Sequence, residues 1–325
     1  IYMMKYRIFL VLVFSICTTA VFSQMDPEDS DKPDSKEKPL RFVVIGDWGR
    51  QGEYHQMRTA KQLAAVADVF KPLFIVSTGD NFYPNGVVST RDYNWISSFE
   101  SIYTESSLYA DWYPVLGNHD YKGDPQAEVD YSKVDRRWNM PARYYSKIIF
   151  IGKDSSQAAL LIFFDSTPFL SEYYEGDEHH VRGQDTAAQR IWLEKTLAEA
   201  PSYVKWKFAF AHHPMWTGGG RMKALETAEM KRIFRPIFEK YKVNVYFSGH
   251  DHNLQHIKPP GFTNYFVSGA GSETTKVIVH PEGGKFAKSV NGFLTVSVYS
   301  NRMQVAVVSL KGQQLYTTTI DRVSP

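Results

Sequence analysis

The chain has 325 residues, 43% of them apolar, with 37 Lys and Arg against 35 Asp and Glu. That apolar content suffices for a large core and excludes a disordered or fibrous chain. A formal charge of +2 brings no concentrated basic footprint, so nucleic acid is not an expected partner.

At the N-terminus, Lys5 and Arg7 precede the apolar run Ile8 to Cys17, and Val21-Phe22-Ser23 sets a small residue before Gln24. The pattern predicts an export signal over residues 1–23. The run is too short, and too soon followed by polar chain, to favour a transmembrane helix, the alternative being an uncleaved anchor, and no stable membrane span is expected after signal removal. Its removal takes two cations and no acid, bringing +2 to zero, and deletes Cys17, the only cysteine. A metal in the mature chain would then sit on oxygen and nitrogen, with disulfides, iron–sulfur clusters and cysteine zinc sites excluded. The expected destination is secreted or periplasmic. Residues 24–39 read QMDPEDSDKPDSKEKP, too polar to offset their ordering entropy by burial, and are expected to be a disordered charged linker. Residues 40–325 show no repeat or second linker and are expected to form one catalytic domain.

Within that domain, apolar runs of strand length recur at Phe42–Ile45, Leu73–Val76, Tyr113–Leu116, Leu160–Phe164, Phe208–Ala211 and Val243–Phe247. Helical faces alternate with them. Ala60, Leu63, Ala64 and Ala67 mark one, Ala188, Ile191, Trp192 and Lys195 with Leu197 beside them a second, and Leu225, Met230, Ile233, Phe234 and Ile237 a third. The alternation predicts an α/β fold with buried, partly parallel strands. Beyond Asp251 the pattern turns β-rich, with strands expected at Thr275–Val279, Gly292–Tyr299, Gln304–Leu310 and Gln314–Ile320, closing as an antiparallel second sheet.

The polar blocks that end these strands carry the chemistry. They are Gly46-Asp47-Trp48-Gly49, Gly79-Asp80-Asn81-Phe82-Tyr83, Gly117-Asn118-His119-Asp120, Ala211-His212-His213-Pro214 and Gly249-His250-Asp251-His252. Open α/β sheets gather ligands at the carboxyl ends of their strands, and here five such ends offer carboxylate, amide, imidazole and phenol groups. His250 and His252, two apart, project from one side of an extended segment and can reach two ions about 3.5–4 Å apart. Asp80 can bridge such a pair, with Tyr83 close by, and a phenolate favours ferric iron over zinc. The glycine before each acid lets the backbone bend under the ligand. Taken singly, each block has a structural reading, as a turn whose Asp caps a helix or as a packed histidine. Five in series, each after an apolar strand, point to a metal site.

These blocks resemble the signature of the calcineurin-like metallophosphoesterases. Trp48-Gly49 after Asp47, together with Tyr83, resembles the purple acid phosphatases of the small, tartrate-resistant type. The likeness runs from about Leu40 to Gly271 and includes Tyr265–Gly271. Most metallophosphoesterases carry a histidine two residues after the first acid, where this chain has Gly49.

The resemblance implies two facing mixed β-sheets flanked by helices. It implies a ferric ion, Fe(3+), on Asp47, Asp80, Tyr83 and His252, and a second divalent ion, Fe, Zn or Mn, on Asp80, Asn118, His212 and His250. Metal-bound hydroxide would attack a phosphate monoester, with His119 over the substrate as the catalytic imidazole. A phosphodiesterase on the same metals, or a metal and phosphate-binding protein with vestigial hydrolysis, are the alternatives.

The chain departs from the small mammalian-type members in the loop Trp216–Arg221, which lacks their second substrate histidine. Arg221 either holds a substrate phosphate or is an ordinary solvated side chain. Asp120 either fixes the His119 ring or caps the following turn, and His213 is second to the ligands or simply packed. Phe169–Gln184 is expected to be a mobile loop near the site, with His179 and His180 facing solvent.

Overall fold

The computed structural model describes residues 37–152 and 156–322. The expected export signal, Cys17 and residues 24–36 lie outside them. Glu37, within the stretch expected to be a linker, accepts from the Ser300 backbone N–H at 2.8 Å.

In chain order the elements are β1 (Leu40–Ile45), α1 (Gln56–Phe70), β2 (Phe74–Ser77), β3 (Asp111–Pro114), α2 (Pro125–Tyr131), β4 (Tyr145–Phe150), β5 (Ala158–Phe163) and α3 (Thr186–Ala198). There follow β6 (Val204–Phe210), α4 (Leu225–Tyr241), β7 (Val245–Ser248), β8 (Leu254–Ile257), β9 (Asn264–Ser268), β10 (Gly284–Lys288), β11 (Gly292–Val298), β12 (Arg302–Ser309) and β13 (Gln314–Asp321).

One sheet has six strands in the order β13-β12-β11-β1-β2-β3, the other seven in the order β10-β8-β9-β7-β6-β5-β4. Strands β1, β2 and β3 run parallel, as do β5, β6, β7 and β9. Both sheets also carry antiparallel strands. This is the two-sheet, helix-flanked α/β architecture.

The apolar runs meet between the sheets. Phe42 of β1 stacks on Phe74 of β2 at 5.0 Å and packs edge-on against Phe210 and Phe247 of the opposite sheet, each at 6.2 Å. Tyr113 and Phe163 bridge the sheets at 5.8 Å. On the far face of the seven-stranded sheet, Phe164 and Tyr246 pack against Phe234 and Phe238 of α4.

Four expectations need correction. The closing antiparallel strands do not form a sheet of their own. β11 pairs with the free edge of β1, in register Phe42 with Val296, so β11–β13 complete the sheet begun by β1–β3. Residues 275–279 are not a strand: Thr275 N–H donates to the His252 carbonyl at 2.7 Å and Ile278 N–H to that of Gly218 at 2.7 Å, which spends them on loops. In α3 the buried stripe is Gln189, Leu193 and Leu197, spaced by four, and Ile191 is exposed. Leu225 likewise lies outside, while Glu226 and Thr227 are buried.

Candidate metal centre

The parallel strands of both sheets deliver their carboxyl ends to one place. Asp47 follows β1, Asp80 and Tyr83 follow β2, Asn118 and His119 follow β3, His212 follows β6, and His250 and His252 follow β7. Asp47, Asp80 and His250 adopt left-handed backbone at φ 59°, 49° and 67°. Such conformations are uncommon outside glycine and concentrate at functional sites. The neighbouring glycines serve mainly by their small size. A Cβ on Gly117 would come within 2.2 Å of Asp80 Oδ1, and one on Gly249 within 2.4 Å of Asp47 Oδ2. Only Gly79, at φ 90°, also needs the conformational freedom of glycine.

The seven side chains fall into two clusters that share Asp80. In the first, Tyr83 Oη lies 3.0 Å from Asp47 Oδ1, 2.9 Å from Asp80 Oδ2 and 3.0 Å from His252 Nε2. His252 Nε2 is also 3.3 Å from Asp47 Oδ1. In the second, His212 Nε2 lies 3.3 Å from Asp80 Oδ2, 3.2 Å from Asn118 Oδ1 and 3.0 Å from His250 Nδ1. All but His252 are at most 8% exposed. His212 Nδ1 donates to the Thr78 carbonyl at 2.9 Å, which leaves Nε2 to face the cluster. Two carboxylates, an amide oxygen, a phenol and three imidazoles in this space fit hard or borderline cations. Their spacing of about 3 Å matches neighbouring ligands on bonds of about 2.1 Å.

Electrostatics agree with that fit. Burial raises the Asp80 carboxyl, but the imidazoles of His212, His119 and His250 overcome it and hold the group well below the ordinary carboxylate range. His212 is pushed up to about 9 because Asp80 and Asp47 outweigh its burial. Tyr83 is raised well above the usual phenol value by burial, then by Asp47 and Asp80, so a phenolate there requires a strong cation in place of the proton.

His119 lies at the rim. Its ring packs on Tyr83 at 4.4 Å, its Nδ1 donates to the Pro84 carbonyl at 2.6 Å, and its backbone N–H donates to Asp80 Oδ1 at 2.8 Å. Asp120 takes neither expected role. It is fully buried and accepts backbone N–H groups from Asn81 at 2.8 Å, Phe82 at 3.1 Å and Gly117 at 2.8 Å, tying the loop after β2 to the loop after β3. His213 is within ligand distance of His212 and His250, but both its nitrogens are engaged, by Ser166 Oγ and Tyr173 Oη at 2.8 Å each. It backs the centre.

Several groups around the centre have partners that the sequence does not reveal, and Glu226 and Arg50 carry no signal in it at all. Arg221 is not merely solvated: it pairs with Glu226 at 3.1 Å and Asp251 at 3.4 Å. Glu226, buried in the first turn of α4, reaches His250 Nε2 at 3.0 Å. Arg50 lies 3.7 Å over the Tyr83 ring and pairs with Glu273 at 2.9 Å. His179 is half-buried against Tyr173, with its Nε2 enclosed, so it does not face solvent as expected. The loop that carries it is pinned to the His119 turn by the Glu178–Lys122 ion pair and by His180 Nδ1 on the Gly123 carbonyl at 2.6 Å. His180 itself remains exposed.

Behind this loop Asp165 accepts from Tyr121 Oη, and burial pushes its carboxyl up to about 7. A carboxyl raised in the folded state binds a proton that the unfolded chain has released, so its contribution to stability declines as pH rises from about 4 to 7. Asp165→Asn is expected to flatten the stability profile over that window, with the difference from wild type constant above it. Denaturation midpoints measured at several pH values check this, and parallel profiles would refute it.

The calcineurin-like phosphoesterase family model matches residues 40–254. Purple acid phosphatase 17 of Arabidopsis thaliana is 32% identical over 94% of this chain and 92% of its own length. Human (Homo sapiens) tartrate-resistant acid phosphatase type 5 is 32% identical over 89% of this chain and 93% of its own. Among solved structures, GAP50, the anchor in the inner membrane complex of Plasmodium, superposes with a TM-score of 0.78 at 24% identity, covering 88% of this chain and 90% of that one, which shows a shared fold. With donors for two cations at its strand ends, the chain belongs to the calcineurin-like phosphoesterases and, within them, to the purple acid phosphatases, hydrolases with a dinuclear metal centre.

Proposed function

We propose that this purple acid phosphatase is an exported enzyme that hydrolyses phosphate monoesters. Asp47, Asp80, Tyr83 and His252 would hold ferric iron, and Asp80, Asn118, His212 and His250 a divalent iron, zinc or manganese. The observation that carries the reading is the division of seven side chains into two four-membered clusters around Asp80. Tyr83 supports iron in the first, because a phenolate is a strong hard donor. Nitrogen and oxygen donors in the second do not discriminate strongly among divalent ions. The export reading rests on Lys5, Arg7 and the apolar run Ile8 to Cys17. The monoester reading rests on the acid phosphatases to which the chain is similar.

Bound cations supply Lewis acidity, neutralising phosphate charge and lowering the pKa of water. The chain supplies the rest. Asp80 holds the two clusters in register, and its Oδ1 also accepts from the His119 N–H, which fixes the rim to the centre. With Nδ1 committed to the Pro84 carbonyl, His119 has its Nε2 available to contact the substrate and to hand a proton to the leaving oxygen. Arg50 over Tyr83 places a fixed positive charge beside the phenol.

Turnover of an aryl phosphate monoester against the corresponding diester tests the assignment. The monoester is expected to be the better substrate at acidic pH. A preference for the diester would make the protein a phosphodiesterase, and retained metals with negligible turnover of either would mark hydrolysis as vestigial.

A further inference from the structure

Glu226 is 3% exposed, and both of its oxygens are engaged. Oε1 pairs with Arg221 Nε at 3.1 Å, while Oε2 lies 3.0 Å from His250 Nε2 and accepts from Tyr173 Oη at 3.1 Å. Arg221 Nε, Tyr173 Oη and His250 Nε2 can all donate, and all three face the oxygens of Glu226, so its carboxylate is the acceptor in each contact.

An ionised carboxylate only accepts hydrogen bonds, and this sets every proton in the chain behind it. Tyr173 donates its hydroxyl proton to Glu226, so its oxygen accepts from His213 Nε2–H at 2.8 Å. His213 Nδ1 then accepts from Ser166 Oγ–H at 2.8 Å. By the same rule the proton of His250 sits on Nε2, and its Nδ1 carries a lone pair. That lone pair faces His212 Nε2 at 3.0 Å. His212 Nδ1 is bonded to the Thr78 carbonyl at 2.9 Å, so His212 Nε2 and His250 Nδ1 both face the space beside Asp80 and Asn118, where a cation would take both as ligands in place of a proton.

We propose that Glu226 is a positioning residue: by accepting the Nε2 proton of His250 it commits that imidazole to present Nδ1 to the second metal ion. The inference rests on the reading that the Asp80, Asn118, His212 and His250 cluster holds an ion. It assigns to α4 a part in metal retention that none of the five strand-end blocks contains. Histidines that ligate metals commonly hand their other N–H to such an acceptor, and loss of the acceptor typically costs 10–100-fold in affinity.

The test is the affinity of the full chain for zinc at the second site, measured by competition with a chelator on protein already loaded with iron. Glu226→Ala is expected to weaken zinc by about 10–100-fold while the iron content and its visible absorption stay unchanged. Glu226→Gln, which keeps an acceptor oxygen, should restore most of the affinity. Arg221→Ala, which removes the ion pair but not the acceptor, should leave zinc binding near wild type. Zinc held by Glu226→Ala as tightly as by wild type would overturn the inference, as would a Gln variant as impaired as the Ala variant. Should the alanine variant not fold, ¹⁵N spectra of wild type with iron absent decide: protonation of His250 at Nε2 supports the inference, and protonation at Nδ1 overturns it. A wild-type chain that takes up only one ion would instead overturn the dinuclear reading beneath it.

Discussion

Asp80→Asn is expected to strip the protein of both metal ions and to lower turnover by about 10³-fold or more, since it removes a shared donor and the charge that binds it. Asp80 is the one side chain common to both clusters, with Oδ2 at 2.9 Å from Tyr83 Oη and 3.3 Å from His212 Nε2. The substitution is chosen to spare the backbone. At φ 49° most side chains would be strained, but asparagine tolerates the left-handed region. The amide also keeps an oxygen to accept the His119 N–H. Loss of function would therefore report the missing charge rather than a displaced loop. Metal content and aryl phosphate turnover, with circular dichroism to confirm the fold, give the answer. A variant that retained two ions and wild-type turnover would remove Asp80 from the centre.

For His119→Ala the expected outcome differs in kind: both ions stay, and turnover falls by about 10²–10⁴-fold, the usual contribution of a positioned acid or base. The backbone N–H that His119 gives to Asp80 survives the change, which is why the metals should remain. The deficit should grow as the leaving alcohol becomes less acidic, because a poor leaving group depends more on a donated proton. A uniform loss across leaving groups would point to substrate binding, and unchanged turnover would take His119 out of the reaction.

Much of the fold and centre was legible because buried parallel strands are written as continuous apolar runs, and the residues that end them must be polar. Asp47, Asp80, Asn118, His212 and His250 each follow such a run, so chain order alone brought them to one edge. What escaped notice depends on packing across elements. Whether β11 pairs with a new partner or with the open edge of β1 cannot be read from its own alternation. Strand β10 is mostly half-exposed and lacks the apolar run that betrays a buried strand, whereas residues 275–279 have the composition but give their N–H groups to loops. Glu226 reads as an ordinary acid in a helix's first turn, and only the fold turns it toward His250. The same holds for Asp120: its neighbours in sequence suggested a capped turn, while two of its partners, Asn81 and Phe82, lie in another loop.

The most direct measurement is the metal content of the purified chain, taken together with its visible spectrum. Two ions per chain, one of them iron, with a violet absorption that Tyr83→Phe bleaches, is the result that follows from the two clusters around Asp80. Full phosphatase turnover from protein that carries no metal and is indifferent to chelators would contradict it.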